Sequence, residues 1–185
     1  MAVLVEAISV IVRISAIHEK FDGGWLAFLA SCPNQTLCED HKLVRVGFME
    51  PSDVENYVTF LEDQGLCYCD SDGQAIDIIV IDQLRGPAAQ CDWVESGTIP
   101  LDGDPKRKVA IVRLKGDSAT VFIAPENWVY EESLSCSFGF VPSEHKDKSL
   151  TFLTHENGCD VYLNHLTDEL NYIGRTKTRT VSSKP

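Results

Sequence analysis

The 185-residue chain is short of basic residues, of long apolar runs and of the patterns that mark catalysis. It carries 16 lysines and arginines against 28 aspartates and glutamates, a net charge of -12. Duplex nucleic acid is held chiefly through neutralised phosphates, so this balance disfavours nucleic acid, and anionic membrane surfaces with it. Four of the basic residues, Arg175, Lys177, Arg179 and Lys184, fall in the tail RTKTRTVSSKP, which has no acid, so the body before it is more acidic still. No apolar run approaches the roughly 20 residues that cross a bilayer. The opening MAVLVEAISVIVRIS is apolar, but it lacks a basic start and a small-residue cleavage site, and Glu6 and Arg13 interrupt it, so it reads as strand and not as leader. A cytoplasmic protein with no membrane partner is expected.

Catalytic and metal-binding signatures are equally scarce. No glycine-rich phosphate loop is present, and GDSAT departs from the G-x-S-x-G elbow. The seven cysteines form an odd set without the spacing of a disulfide framework, which points to reduced thiols. Cys67-Tyr68-Cys69 lacks a second close pair to complete a tetrahedral site, so two small side chains on one side of a strand are preferred to a metal centre. Asp70-Ser71-Asp72-Gly73 opens like a calcium loop, but its glycine comes too early and no closing glutamate follows, leaving a turn. Histidines 145, 155 and 165 are regularly spaced, yet a hairpin at Asn157-Gly158 would part the last two. A cysteine hydrolase built on Cys136 and one of these histidines has no supporting motif. No metal or cofactor is expected.

What is present is a regular alternation of apolar segments and turns. Residues 2–13 read as one buried strand. Ser15 can cap a helix bearing Ile17, Phe21, Trp25, Phe28 and Leu29, which Asp22-Gly23-Gly24 divides into two short pieces. Residues 43–48 read as a strand, and Ser52-Asp53-Val54-Glu55 fits a capping box before a helix with Val54, Tyr57, Val58 and Leu61 on one face, closed by Gly65. Residues 66–69 and 75–81 read as a hairpin. Further on, 108–114 and 119–124 flank KGDS, 150–155 and 159–165 flank Asn157-Gly158, and 170–174 form a last strand. The two-residue turn sets His155 opposite Asp160, Leu153 opposite Tyr162 and Phe152 opposite Leu163. The fold class is α+β, with a mixed or antiparallel sheet, two main helices in the N-terminal half and a strand-rich C-terminal half. Residues 1–174 form a single domain, with sub-portions 1–88 and 89–174, and 175–185 a disordered basic tail.

Two groups of residues stand out as candidate sites. The stretch DIIVIDQLRGPAAQCDWVE runs an apolar strand into Asp82, Gln83 and Arg85, turns at Gly86-Pro87, and reaches Asp92, Trp93 and Glu95. Asp82 and Arg85 either fix the exit of a buried strand or, with Asp92, Trp93 and Glu95, line a ligand cleft. Asp77 and Asp82, five apart, point to opposite faces and cannot act together. The second group is acidic. Glu62 and Asp63 end a helix where the dipole disfavours negative charge, and Asp70 and Asp72 follow at a turn tip, so the four can form one surface for a basic protein partner.

The order strand, helix, strand, helix over residues 2–64 is similar to half of a ferredoxin-like or ACT-type sandwich, an architecture that hosts many functions. DVENYVTFLEDQGLCYCDSDGQAI resembles a helix and wing of a winged-helix domain, although the helix bears Asp53, Glu55, Glu62 and Asp63 where DNA binding needs base. Through RVGFMEPSDVENYVTFLEDQGL, DQLRGPAAQCDWVE and SFGFVPSEHKDKSL the chain resembles an uncharacterised bacterial protein group with no assigned activity. The preferred function is a non-catalytic module that meets a basic protein through Glu62, Asp63, Asp70 and Asp72, in the manner of an immunity or inhibitor protein. The alternatives are a small hydrolase, or a small-ligand sensor, with its site near Asp82, Arg85, Asp92, Trp93 and Glu95.

Overall fold

The computed structural model describes residues 1–118, 121–137, 150–156, 159–164 and 169–174, and it is an α+β structure with mixed and antiparallel sheets. Strands β1 (Ala2–Val5) and β2 (Ile8–Arg13) lead into α1 (Ile14–Lys20) and α2 (Gly24–Ser31), then β3 (Cys38–Glu39), β4 (Leu43–Phe48), α3 (Pro51–Asp63), β5 (Ile78–Asp82) and β6 (Gly86–Pro87). Strands β7 (Val94–Leu101), β8 (Asp104–Leu114) and β9 (Phe122–Ile123) follow. One antiparallel sheet has the order β3-β4-β2-β5-β6, and a second, mixed sheet has the order β7-β8-β1-β9.

Period-two alternation gives each central strand two buried faces. Val10, Val12, Val44, Val46, Ile78 and Val80 pack toward the helices, against Ile17, Phe28 and Leu61. Ile11, Leu43, Ile79 and Ile81 point the other way and meet Val3, Val5 and Val112 of the second sheet. The outer face of that sheet, Ala2, Leu4, Val109 and Ile111, is covered by Tyr130 and Trp128. Burial on both faces is why these strands read as nearly unbroken apolar runs, each fully buried Val, Leu or Ile contributing about 1.5–3 kcal/mol.

Residues 2–13 form two strands and not one. The chain changes sheet at Glu6-Ala7, where Ala7 takes a φ of 50°. That conformation is strained for a residue with a Cβ, and Gln83 clamps it: its Oε1 accepts from the Ala7 amide at 2.9 Å and its backbone amide donates to the Ala7 carbonyl at 2.8 Å. The break at Asp22-Gly23-Gly24 is where expected, but α1 starts at Ile14 with no side-chain cap, so Ser15 does not cap it. Helix α3 has Pro51 in its first turn and no side-chain cap, so the Ser52 box does not form; proline at that place is already in a helical φ. Gly65 closes α3 at φ 99°.

Other departures are matters of pairing. The hairpin expected over 66–81 is short: the Cys69–Ala75 bridge and the Ile76-to-Tyr68 and Asp77-to-Cys67 backbone hydrogen bonds join its arms around the Asp70 turn, and from Ile78 on β5 pairs with β2 and β6 instead. Strand β8 pairs with β7 through a tight turn at Asp102-Gly103, with φ of 51° and 77°, and with β1. Among the described residues it does not pair with 121–124; β9 instead lies parallel to β1. A third, antiparallel sheet consists of β10 (Leu150–Glu156), β11 (Cys159–Asn164) and β12 (Glu169–Gly174). His155 faces Asp160 as expected, but a bulge between Phe152 and Thr154 sets Phe152 opposite Tyr162 and Thr151 opposite Leu163. Asn157-Gly158, His145, His165 and the tail 175–185 lie outside the described residues. Helix α4 (Leu134–Ser137) follows a 3-10 turn at Tyr130–Glu132. No helix among the described residues is long and apolar enough to cross a membrane.

Candidate anion-binding site

The stretch from Asp77 to Glu95 is a strand, a capped turn and a return. Asp77 is buried and accepts from Lys20 Nζ at 2.7 and 2.8 Å and from the Cys67 amide at 2.9 Å. At the far end of β5, Asp82 Oδ1 accepts the amides of Leu84 and Arg85 at 2.8 and 2.9 Å, which fixes the turn. The chain then runs back beside β5: Pro87 pairs with Ile81, the Ala88 amide donates to the Val80 carbonyl, and the Ala75 amide donates to the Gln90 carbonyl. Trp93 therefore arrives at the opposite end of the strand, where its indole Nε1 donates to the Ala75 carbonyl at 2.9 Å.

At roughly 3.3 Å per residue, that separates Asp82 and Arg85 from Asp92 and Trp93 by on the order of 15 Å. Glu95 is engaged elsewhere, in a cross-strand pair with Arg113 at 2.9 Å. The structure places the five residues in three locations. Only Asp92 and Trp93 share a cavity, and their arginine is Arg13.

Arg13 ends β2 on the face that looks toward the second sheet. Its guanidinium lies 4.4 Å over the centre of the Trp93 ring. Trp93 is buried and anchored by its own hydrogen bond, so it offers the guanidinium a fixed aromatic face. The guanidinium nonetheless has no hydrogen bond or ion pair among the described residues, and its Nε is buried without an acceptor. It lines a cavity of about 690 Å³ together with Ser15, Lys42, Asp92, Trp93 and Lys115.

The lysines reach this cavity from two turns. Asp40 Oδ1 accepts the amides of Lys42 and Leu43 at 3.0 and 2.8 Å and shapes the first. The Lys115 amide donates to the Trp93 carbonyl at 2.8 Å, tying the second to the tryptophan. Lys42 holds Asp117 at 2.7 Å and, through that hydrogen bond, keeps its carboxyl below the usual carboxylate range. Lys115 is exposed and has no ion pair among the described residues. His41 stands at the rim, its ring largely exposed and its backbone in the left-handed region at φ 72°. Three cations, Arg13, Lys42 and Lys115, and one acid, Asp92, line the cavity, with Asp117 bound to Lys42 and Glu39 3.6 Å from His41.

The acidic quartet is exposed throughout. Glu62 Oε1 accepts the Tyr68 amide at 3.2 Å, and Asp70 Oδ1 accepts the amides of Asp72 and Gln74, both at 2.9 Å. Glu62 and Asp70 both lie near Cys69, whose thiol is pushed up by desolvation and then by Asp70, Cys67 and Glu62. The Asp63 and Asp72 carboxylates accept no hydrogen bonds among the described residues. Cys67 Sγ donates to the Cys69 carbonyl at 3.5 Å, and both thiols are free.

Arg13, Lys42 and Lys115 are not singled out by any motif. The one available signal is an arginine closing the apolar run ISVIVR, a place where a charge needs a partner. No family model, curated protein or solved structure matches the chain. Among the described residues no cysteine or serine is hydrogen-bonded to a histidine, and no group of three or more His, Cys, Asp or Glu is placed to hold a metal ion.

Proposed function

We propose that this protein is a non-catalytic binding module that captures a small polyanion, a phosphate ester or polycarboxylate, on the edge of Arg13. The observation that carries the reading is a guanidinium seated 4.4 Å over the Trp93 ring with none of its donors used among the described residues. A planar fork of this kind matches a carboxylate or phosphate with two parallel hydrogen bonds, and holding it in place in advance removes part of the entropy cost of binding. Lys42 and Lys115 supply further charge on the same cavity, and Ser15 a hydroxyl.

Isothermal titration at fixed ionic strength with inorganic phosphate and with citrate tests this. At least one should bind saturably, and Arg13→Met should weaken it about thirtyfold, the effect of losing a bidentate charged contact of roughly 2 kcal/mol. Absence of saturable binding by either anion, or equal binding by the variant, would refute the proposal.

A second reading retains the acidic surface. Glu62 and Glu55 line, with Val54 and Val58, a groove of about 360 Å³ beside α3, a combination that suits a basic protein segment with an apolar face. Salt-sensitive capture of such a partner should be lost when Glu62, Asp63, Asp70 and Asp72 are neutralised and kept when Asp102 and Asp104 are; loss in both would leave general charge as the explanation.

A further inference from the structure

At the other end of the central strands, where the chain passes from one sheet to the other, lies a second cavity, of about 530 Å³. Glu6, Ala7, Arg45, Phe48, Trp128 and Leu134 line it. Asn34, Gln35, Glu126 and Asn127 line it as well, and the polar groups of Glu6 and Arg45 are incompletely used. Arg45 is 3% exposed. It donates from Nε to Ser9 Oγ at 3.0 Å, from Nη1 to the Thr36 carbonyl at 3.0 Å and from Nη2 to the Glu6 carbonyl at 2.9 Å. That uses three of a guanidinium's five N–H groups. No carboxylate forms an ion pair with it among the described residues.

Gly47 makes room for this side chain, since a Cβ there would run into the guanidinium. Glu6 receives the Ser135 amide at 3.0 Å and the Ser135 hydroxyl at 2.6 Å on Oε1 alone. Its Oε2 accepts nothing among the described residues. Trp128 has a buried indole N–H with no acceptor among them.

The wall opposite is preformed. Asn34 Nδ2 donates to the Gly47 carbonyl at 2.8 Å, and the Gly47 amide donates to Thr36 Oγ1 at 2.7 Å, which binds the 33–36 loop to β4. Trp128 is wedged edge-on between Phe122 and Tyr130. Spare donors on Arg45 and Trp128 and a spare acceptor on Glu6, beside the apolar Phe48, Met49 and Leu134, are the pattern of a pre-organised small-molecule site. An unpaired buried donor is costly in a folded protein, so each is most simply understood as satisfied by a ligand.

From this we propose a second binding site, separate from the Arg13 cavity, for a small neutral planar heteroaromatic molecule that carries a ring acceptor beside an N–H donor, as a nucleobase does. The buried charges of Arg45 and Glu6 offset each other and Glu126, the other charged residue of the lining, is exposed to solvent, which favours an uncharged ligand. Its ring acceptor would take the spare donors, and its N–H would meet Glu6.

Saturation-transfer NMR and calorimetry with adenine, guanine and cytosine, and with purine as the analogue lacking the amino donor, provide the test. One of the three bases should bind with Kd below about 1 mM, and Glu6→Gln and Trp128→Phe should each weaken it about tenfold, the effect of one lost hydrogen bond in a dry site. Purine should bind more weakly than adenine, while Arg13→Met leaves base binding unchanged. Circular dichroism and thermal melting establish that both site variants are folded. Failure of all three bases to bind wild type, or unaltered binding by folded Glu6→Gln and Trp128→Phe, would overturn the proposal without bearing on the Arg13 cavity.

Discussion

Removing either partner of the Lys20–Asp77 pair should not cost the same. Asp77 is 4% exposed at its side chain and takes three hydrogen bonds, two from Lys20 Nζ and one from the Cys67 amide, whereas the Lys20 side chain is 41% exposed. Lys20→Met keeps the aliphatic stem but leaves a buried carboxylate with a single donor. Stranding one member of a buried pair costs about 3–5 kcal/mol, and water entering at the vacated ammonium position lowers this toward about 3 kcal/mol. Asp77→Asn leaves an amide oxygen that can still accept from Cys67, while Lys20 returns its charge to water. The loss is then one charged contact, about 1 kcal/mol net. Urea unfolding followed by circular dichroism gives both values from the midpoints. Two variants within about 0.5 kcal/mol of each other, or a greater loss in Asp77→Asn, would refute the view that desolvation of Asp77 dominates the pair.

Three further expectations follow from the geometry. Gly65→Ala should destabilise by about 1–2 kcal/mol in the same unfolding assay, because Gly65 sits at φ 99° and a Cβ there would lie 2.7 Å from the Lys20 carbonyl. Gln83→Leu removes the side-chain half of the clamp on Ala7 and leaves the Ala7 amide unpaired, so it should cost about 1–3 kcal/mol, against little change for Leu84→Gln on the same turn, where the side chain is 52% exposed. Burial pushes the Cys38 thiol from 9.0 up to about 11. The unfolded chain therefore loses this proton first, and the stabilisation, up to roughly 3 kcal/mol, is fully present below pH 9 and lost as pH rises toward 11. Cys38→Ser should show less of that alkaline loss, and native Cys38 should alkylate far more slowly than exposed Cys136.

Much of the fold is legible in local pattern. The helical spacing of Val54, Tyr57, Val58 and Leu61, the glycines that part α1 from α2, and the strand at 43–48 depend on near neighbours. The split at Glu6-Ala7 has no glycine or proline to announce it, because the strain at Ala7 is borne by Gln83, 76 residues away. The Asp102-Gly103 turn does carry a recognised hairpin dipeptide, whereas KGDS precedes a strand that joins β1 from a distance. The candidate site is legible only in part. Asp92 and Trp93 stand out by type, but Arg13 meets them across 80 residues of chain, and the lysines come from two unrelated turns. Asp82 and Arg85 share the same short stretch as Trp93, yet the return of the chain along β5 carries them to its other end.

The most direct test of the anion site watches Arg13 itself. In ¹⁵N-labelled protein at constant ionic strength, the Arg13 Nε–H resonance, assigned by its loss in Arg13→Lys, would be followed during phosphate and citrate titrations. Saturable movement of that resonance with one of the anions, while those of Arg45, Arg107 and Arg113 stay in place, is the predicted result. No movement with either anion, or a shared unsaturating drift of all four, would contradict it.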